Sequence, residues 1–430
     1  MRLAALFLLP VCLAAQTKYD LLLKNGHLID AKNHIDAVRD VAIKDHKIAA
    51  VEAAIPAASA GKTIDLKGLY ITPGLVDIHV HVYAGTGLKG AYSGDLSVYP
   101  DGYTFRNGVT TVVDAGSSGW RNFPDFLDRV ITRSKTRVLA FINIVGLGMS
   151  GGNTEQDTND MDAKATASRA KEHPDVIVGI KTAHYAGPEW IPVDRALEAA
   201  ASAGIPLMVD FGVFRPERPY QELVLKKLRP GDISTHMYLD MVPMLDDQQK
   251  LLPYLPEARK RGVLFDVGHG GGSLLFRQAV PALQQGWIPD SISTDLHVSS
   301  AAGGMKDMLN VMSKFLNMGQ SLSTVIAEST WKPAQQIHRE EFGQMSVGAV
   351  ADIAVLKLER GRFGFIDSYG AKLNGTQKLS CELTIKDGRV VVYDLNGLSR
   401  DDWKTLHKNY KAQGADVWDG TLNSTVRNRK

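Results

Sequence analysis

The sequence predicts an α/β protein: a (β/α)8 TIM barrel over residues 71–345, with a small β-sandwich built from both chain ends, 16–70 and 346–395. Three observations predict it. Eight short apolar runs recur through the middle of the chain, most of them separated by helix-like stretches. The two flanks instead alternate β-rich runs with turn residues. Six of the eight apolar runs carry an ionisable or metal-capable residue near the carboxyl end, the face on which barrels place their chemistry.

From the amino terminus, residues 1–15 read as a signal peptide. Arg2 supplies a positive start, "LAALFLLPVCLA" is too short to span a bilayer comfortably, and the small residues Ala14 and Ala15 close it. The bland alternative is an apolar tail on a cytosolic protein. The order of charge, apolar run and small residues favours export, to the periplasm or the medium. Cys12 lies in this segment and Cys381 is the only other cysteine, so a mature chain would form no disulfide and depend on its packed core.

The runs "DLLLKNG", "VAIKDHKIAAVE" and "TIDLKG" supply the first half of the sandwich, and "ADIAVLKL" and "LTIKDGRVVVYD" the second. Lys386-Asp387-Gly388 separates two β-branched runs as a hairpin turn. The barrel strands are expected in "GLVDIHVHV", "TTVVDAG", "VLAFINIVG", "VIVGIKTA", "PLMVDFG", "ISTHMY", "LFDVGHG" and "SISTDLH", with helices such as "DAKATASRAKEH" and "VDRALEAAASAG" between them. Near-continuous apolar strands alternating with helices imply a parallel sheet covered on both faces. An open doubly wound sheet is the competing topology, but no glycine-rich phosphate fingerprint follows the first strand. Residues 396–430 read as a closing helix, near 398–413, and a tail.

Apolar residues make up 44% of the chain, enough for a sizeable core, and the 49 Lys and Arg against 47 Asp and Glu are scattered, for a net charge of +2. No basic stripe points to nucleic acid or a membrane surface, and no later stretch is long and apolar enough to span a bilayer. The expected partner is a small-molecule substrate. A homo-oligomer stays open.

The strand ends carry the chemistry. His79 and His81 stand two apart on the first run, so both side chains face one side and can grip one divalent ion. A structural histidine pair is at least as common. Lys181 ends "VIVGIK", where a buried ammonium is costly. It is either a core lysine paired with a carboxylate, one that snorkels to solvent, or a lysine converted by carbon dioxide to a carbamate, an anion able to bridge two metals. His184 follows it. Asp210 ends the fifth run and His236 the sixth. Asp295, in "SISTDLH", either binds a metal and takes a proton from its water or caps the following helix. His269 lies among glycines that let backbone approach closely, and either faces the substrate or braces its loop. His297 follows Asp295.

These residues resemble the amidohydrolase superfamily, in its deacetylase branch (D-aminoacylase-like or dihydroorotase-like). The resemblance runs from Tyr19 to Tyr393 through "DLLLKNGHLIDAKN", "GLYITPGLVDIHVHVY", "GDISTHMY", "FDVGHGGGSLLF" and "SISTDLH". It implies one or two divalent ions, zinc first among them: His79, His81 and Asp295 on one, His236 on the other, and carbamylated Lys181 between. It further implies that a bridging hydroxide attacks a carbonyl while Asp295 takes its proton and then serves the leaving group. His184, His269 and His297 are the substrate-side candidates. Two positions depart from the family pattern. A histidine usually ends the fifth strand, where this chain has Asp210, an oxygen ligand of harder character that weakens or changes the second metal site. His184 could compensate. The arginine often found two residues after the lysine is Ala183.

The leading reading is an exported hydrolase that removes an acyl group from an amide or ester. A cyclic amidase, of the dihydroorotase or hydantoinase kind, uses the same ligand set. A secreted binding protein on a decayed scaffold would have lost ligands that this chain keeps.

Overall fold

The computed structural model describes residues 18–212 and 215–393, so the expected signal peptide and closing helix lie outside the described residues. Strands β1 (Tyr19–Asp30), β2 (Ile35–Lys44), β3 (Lys47–Glu52), β4 (Ala60–Asp65) and β5 (Tyr70–Pro73) come from the first flank. Strands β6 (Leu75–Val80), β7 (Val109–Gly119), β8 (Arg137–Asn143), β9 (Ile177–Thr182), β10 (Leu207–Val209), β11 (Ile233–Ser234) and β12 (Leu264–Phe265) follow. The second flank adds β13 (Ile353–Ile366), β14 (Lys372–Lys386) and β15 (Arg389–Tyr393).

Strands from both ends join through β5, which pairs with β1 on one side and β13 on the other. By hydrogen bonding they form one continuous eight-stranded mixed sheet, in the order β15-β14-β13-β5-β1-β2-β3 with β4 also on β1, rather than two separate sheets. The expected hairpin turn is present. Asp387 and Gly388 take φ of 48° and 71°, the paired left-handed residues that suit the twist of a tight hairpin.

The middle seven strands form one parallel sheet in sequential order, β6 to β12. The eighth run, Ser291–His297, forms no continuous strand and makes only single bridges, Ser291 to Asp266 on one side and Leu296 to Val80 on the other. Backbone bonds from Val267 to Ser291 (3.1 Å), His269 to Ser293 (3.2 Å) and His81 to Leu296 (2.8 Å) tie it to both edges of the sheet. Helices Ala163–Glu172 and Ile191–Ala203 match the expected helical stretches. The first is capped by Asp162, whose carboxylate accepts from Lys164 and Ala165; the second ends at Gly204 in the left-handed region.

Successive strands each contribute to one apolar layer, including Val76, Val113, Phe141, Val178 and Met208, closed off by Ala334, Ile337 and Phe342. A larger layer lies between strands and helices. Among the described residues no helix is long and apolar enough to cross a membrane. The Cys381 thiol lies 3.2 Å from the Thr384 hydroxyl.

Candidate metal centre

Because the strands run parallel, the residues at their carboxyl ends share one face of the sheet. His79, on β6, has its Nδ1 2.9 Å from Thr235 Oγ1, and the Thr235 hydroxyl donates to Asp266 (2.7 Å). With its proton so committed, the threonine oxygen accepts from His79 Nδ1–H, which leaves Nε2 as a lone pair aimed into the site. His81 pairs its Nδ1 with Ser117 Oγ at 2.9 Å and likewise turns Nε2 inward. Such partners fix tautomer and ring orientation in metal-ligating histidines.

Asp295 completes the group: its Oδ1 lies 3.1 Å from His81 Nε2 and 3.7 Å from His79 Nε2. Neither nitrogen is aligned to donate, so Oδ1 is a buried carboxylate oxygen without a hydrogen-bond partner. Ligand atoms from these three residues fall within 4.8 Å of one another. Two imidazole lone pairs converging on a partnerless carboxylate oxygen fit a divalent cation, and the mixed nitrogen and oxygen set suits zinc chemistry. The helix-cap alternative for Asp295 does not describe this side chain, since it faces the histidines.

A second group sits alongside. The His236 Nδ1–H donates to the Gly268 carbonyl (2.6 Å), which points its Nε2 at Asp210 Oδ2, 3.3 Å away. A lone pair facing a carboxylate repels it unless a cation lies between them. Without a metal that cation is a proton: burial lowers the His236 pKa, but Asp210 outweighs it and pushes the imidazole up to about 9. Burial likewise works to raise the Asp210 carboxyl, yet His236, His184 and Lys181 together hold it well below the usual range. His184 Nε2 is 3.5 Å from Asp210 Oδ2, and its Nδ1 pairs with Glu155 at 2.7 Å. Burial opposes the charged form of His184, but Glu155 and Asp210 prevail and raise its pKa. Arg215 donates instead to the Ala186 carbonyl (2.8 Å).

Lys181 is fully buried between the two groups, its Nζ 3.2 Å from His79 Nε2 and 3.9 Å from Met208 Sδ. Among the described residues no carboxylate comes within ion-pair distance of it, so the paired core lysine is not what the fold builds. Burial lowers its pKa, only partly offset by Asp210, Asp295 and Asp266. Gly116 makes room for it: a Cβ there would meet Lys181 Cγ at 2.6 Å.

His184, His236 and Asp295 take φ of 59°, 58° and 49°, left-handed conformations that cost energy and cluster where geometry is functional. The glycines around His269 have the steric role expected of them. A Cβ on Gly268 would meet His236 Nδ1 at 2.7 Å, and one on Gly270 would meet Asp295 Oδ2 at 2.2 Å. His269 itself is placed differently from a substrate-facing residue. It is fully buried, its Nδ1–H donates to the Gly270 carbonyl (2.9 Å) and its Nε2 accepts from Lys314 (2.6 Å). His297 is buried near His81 and keeps an unpartnered Nδ1.

Sequence reasoning missed Asp266, Thr235, Ser117, Glu155, Lys314 and Tyr92. Asp266 had a signal: it follows β12 in "LFDVGHG" and accepts from three hydroxyls, Thr235, Ser291 and Ser293. Tyr92 had none, since it lies in a loop without periodicity.

No family model matches the chain. Curated relatives named deacetylase do. One from Brucella anthropi is 33% identical over 346 residues, 78% of this chain and 84% of the relative. One from Enterococcus faecalis is 32% identical over 381 residues, 86% of this chain and 99% of the relative. Among solved structures, one described as an adenine deaminase superposes with a TM-score of 0.79 at 30% identity, covering 86% of this chain and 99% of that one. Another, described as a dihydroorotase, gives 0.76 at 29%, covering 87% and 99%. With this fold, these converging ligands and relatives of this extent, the chain belongs to the amidohydrolase superfamily, as a hydrolase of its deacetylase branch.

Proposed function

We propose that the protein is an exported metal-dependent deacetylase that hydrolyses a C–N amide, or an ester, of a small acylated substrate at the mouth of a closed eight-stranded barrel. The observation that carries this reading is the partnerless Asp295 oxygen facing the inward lone pairs of His79 and His81. These three residues would hold one zinc ion; His236 and Asp210, with His184 beside them, would hold a second. Bound there, zinc supplies Lewis acidity, which lowers the pKa of water towards neutrality and polarises the scissile carbonyl.

The residues do the rest. Burial favours the neutral Lys181 amine, the form that would add carbon dioxide and release a proton, and the carbamate so formed would offer anionic oxygen ligands between the two groups. Asp295 takes the proton of the attacking water and returns it to the departing nitrogen, so the C–N bond breaks to an acid and an amine. Thr235 and Ser117 keep the two histidines in register throughout.

The test is metal analysis of the purified protein with a panel of N-acyl amino acids, acyl esters and cyclic amides. Bound zinc and turnover of acyclic acyl substrates are expected. Turnover confined to cyclic amides would select the cyclic-amidase reading, which the likeness to a dihydroorotase favours as the second choice. Metal-loaded protein inert on every class would overturn both. Lys181→Ala should lose metal and activity together, with partial rescue by short carboxylic acids. Export predicts that residues 1–15 are missing from the mature protein, and an intact Met1 on the secreted or periplasmic pool refutes it.

A further inference from the structure

Tyr92 is the side chain at the site that neither the ligand groups nor the structural hydrogen bonds account for. Its ring lies 4.3 Å from His81 (37° between planes), 5.2 Å edge-on from His297 (89°) and 6.0 Å from His184, so it spans from one candidate metal group to the other. Burial and the negative charges of Asp295, Asp210 and Glu155 all hold its phenol in the protonated, donating form. Among the described residues that hydroxyl has no hydrogen-bond partner. The loop that carries Tyr92 is tied down on both sides of it. Ser93 donates to Met149 (3.1 Å) and pairs with Ser150 (2.8 Å), while Val98 donates to the His81 carbonyl (3.1 Å) and the Leu96 carbonyl accepts from Val298 (2.9 Å). A phenol set beside both ligand groups, with no partner among the described residues, is positioned to donate to a ligand. The His297 ring packs edge-on against Tyr92 and so sets a second imidazole beside the phenol.

We propose that the Tyr92 hydroxyl is a catalytic donor that hydrogen-bonds the substrate's carbonyl oxygen as it becomes an oxyanion, with His297 bordering the same pocket. The proposal rests on the hydrolytic reading above. As water adds to the carbonyl carbon, the C=O electron pair moves onto oxygen, and the phenol O–H stabilises that charge without transferring its proton. The effect belongs to the tetrahedral state and not to the planar substrate.

Tyr92→Phe keeps the ring and its contacts and removes only the donor. In wild-type enzyme shown to turn over an acyl substrate, the variant should lose about 100-fold in kcat, the range for deleting one oxyanion donor, with KM and bound zinc unchanged. Calorimetric binding of the methylphosphonyl analogue of that substrate, which mimics the tetrahedral state, should weaken by a similar factor, while affinity for the product amine holds. Full kcat in Tyr92→Phe overturns the role of Tyr92 and leaves the hydrolytic reading intact. Loss of zinc from the variant also overturns it, by assigning Tyr92 to support of His81. A wild-type enzyme inert on the whole panel overturns the hydrolytic reading and this role with it.

Discussion

Asp210 shows how one side chain changes the demands on its neighbours. Where the family resemblance implies a neutral histidine, this chain puts a buried anion 3.3 Å from the lone pair of His236 and 3.5 Å from His184. A buried unpaired carboxylate is expensive, so a cation must accompany it. In the absence of metal, His236 supplies one by holding a proton up to about pH 9; a metal bound there would compete with that proton for the same nitrogen. Asp210→Ala should lower occupancy of one metal while sparing the other, and should let His236 lose its proton near neutral pH, which an NMR titration of the metal-free protein reads out. Asp210→His should give a second site that is more selective for zinc. If Asp210→Ala leaves metal content and activity as they were, Asp210 is a bystander.

At the level of the element, helix Met308–Asn317 does more than cover the sheet. It carries Lys314, fully buried, whose ammonium donates to His269 and to the Gly304 carbonyl (2.7 Å). Burial pulls its pKa down to about 7, with Lys306 adding to the effect and Asp367 and Asp307 opposing it. A lysine with a folded pKa near 7 and an unfolded value of 10.5 is protonated in the unfolded chain and neutral in the folded one between those limits. The unfolded state then binds more protons, so this residue makes stability rise with pH across that window, by at most about 1.4 kcal/mol per pH unit. Urea titrations at pH 7 and pH 10 should show wild type gaining stability relative to Lys314→Met. Parallel pH profiles for the two proteins would show that Lys314 keeps its charge on folding. The hairpin β13–β14 bears on the same loop: Asp367 accepts from Phe276, and Ser368 donates to the Leu274 carbonyl (3.0 Å).

Across the molecule, the mixed sheet and the parallel sheet are joined by a charged cluster away from the strand ends that hold the site. Arg137, the first residue of β8, reaches Asp352 through one nitrogen and Asp387, in the β14–β15 turn, through the other (3.0 Å). Its guanidinium also stacks on Phe342 at 4.0 Å, and Lys386 adds a 2.6 Å contact to Asp387. Charge-assisted bonds of this kind are worth about 1.5–3 kcal/mol when one partner is removed. Arg137→Ala should therefore lower the stability of the fold by about 2 kcal/mol in a single shifted transition. Two separate transitions would show that the two sheets unfold independently.

Much of this fold was legible in the sequence because its signals are local. Seven of the eight expected runs became parallel strands, and "DAKATASRAKEH" became a helix with Asp162 as its cap, since burial period and capping chemistry act within a few residues. The β-rich flanks announced themselves as strands in the same way. That His79, Lys181, His236 and Asp295 meet on one face followed from the parallel repeat, which sends every strand's carboxyl end the same way. What they do to one another was not legible. The Asp266–Thr235–His79 relay joins residues up to 187 positions apart (266 − 79), so neither hydroxyl nor carboxylate carries a local signature of its partner. Nothing in the sequence marked Lys314, and only packing placed its ammonium on His269. Tyr92 sits in a loop whose course is set by bonds to Met149, His81 and Val298, so only the folded chain could bring its ring against His81, His297 and His184.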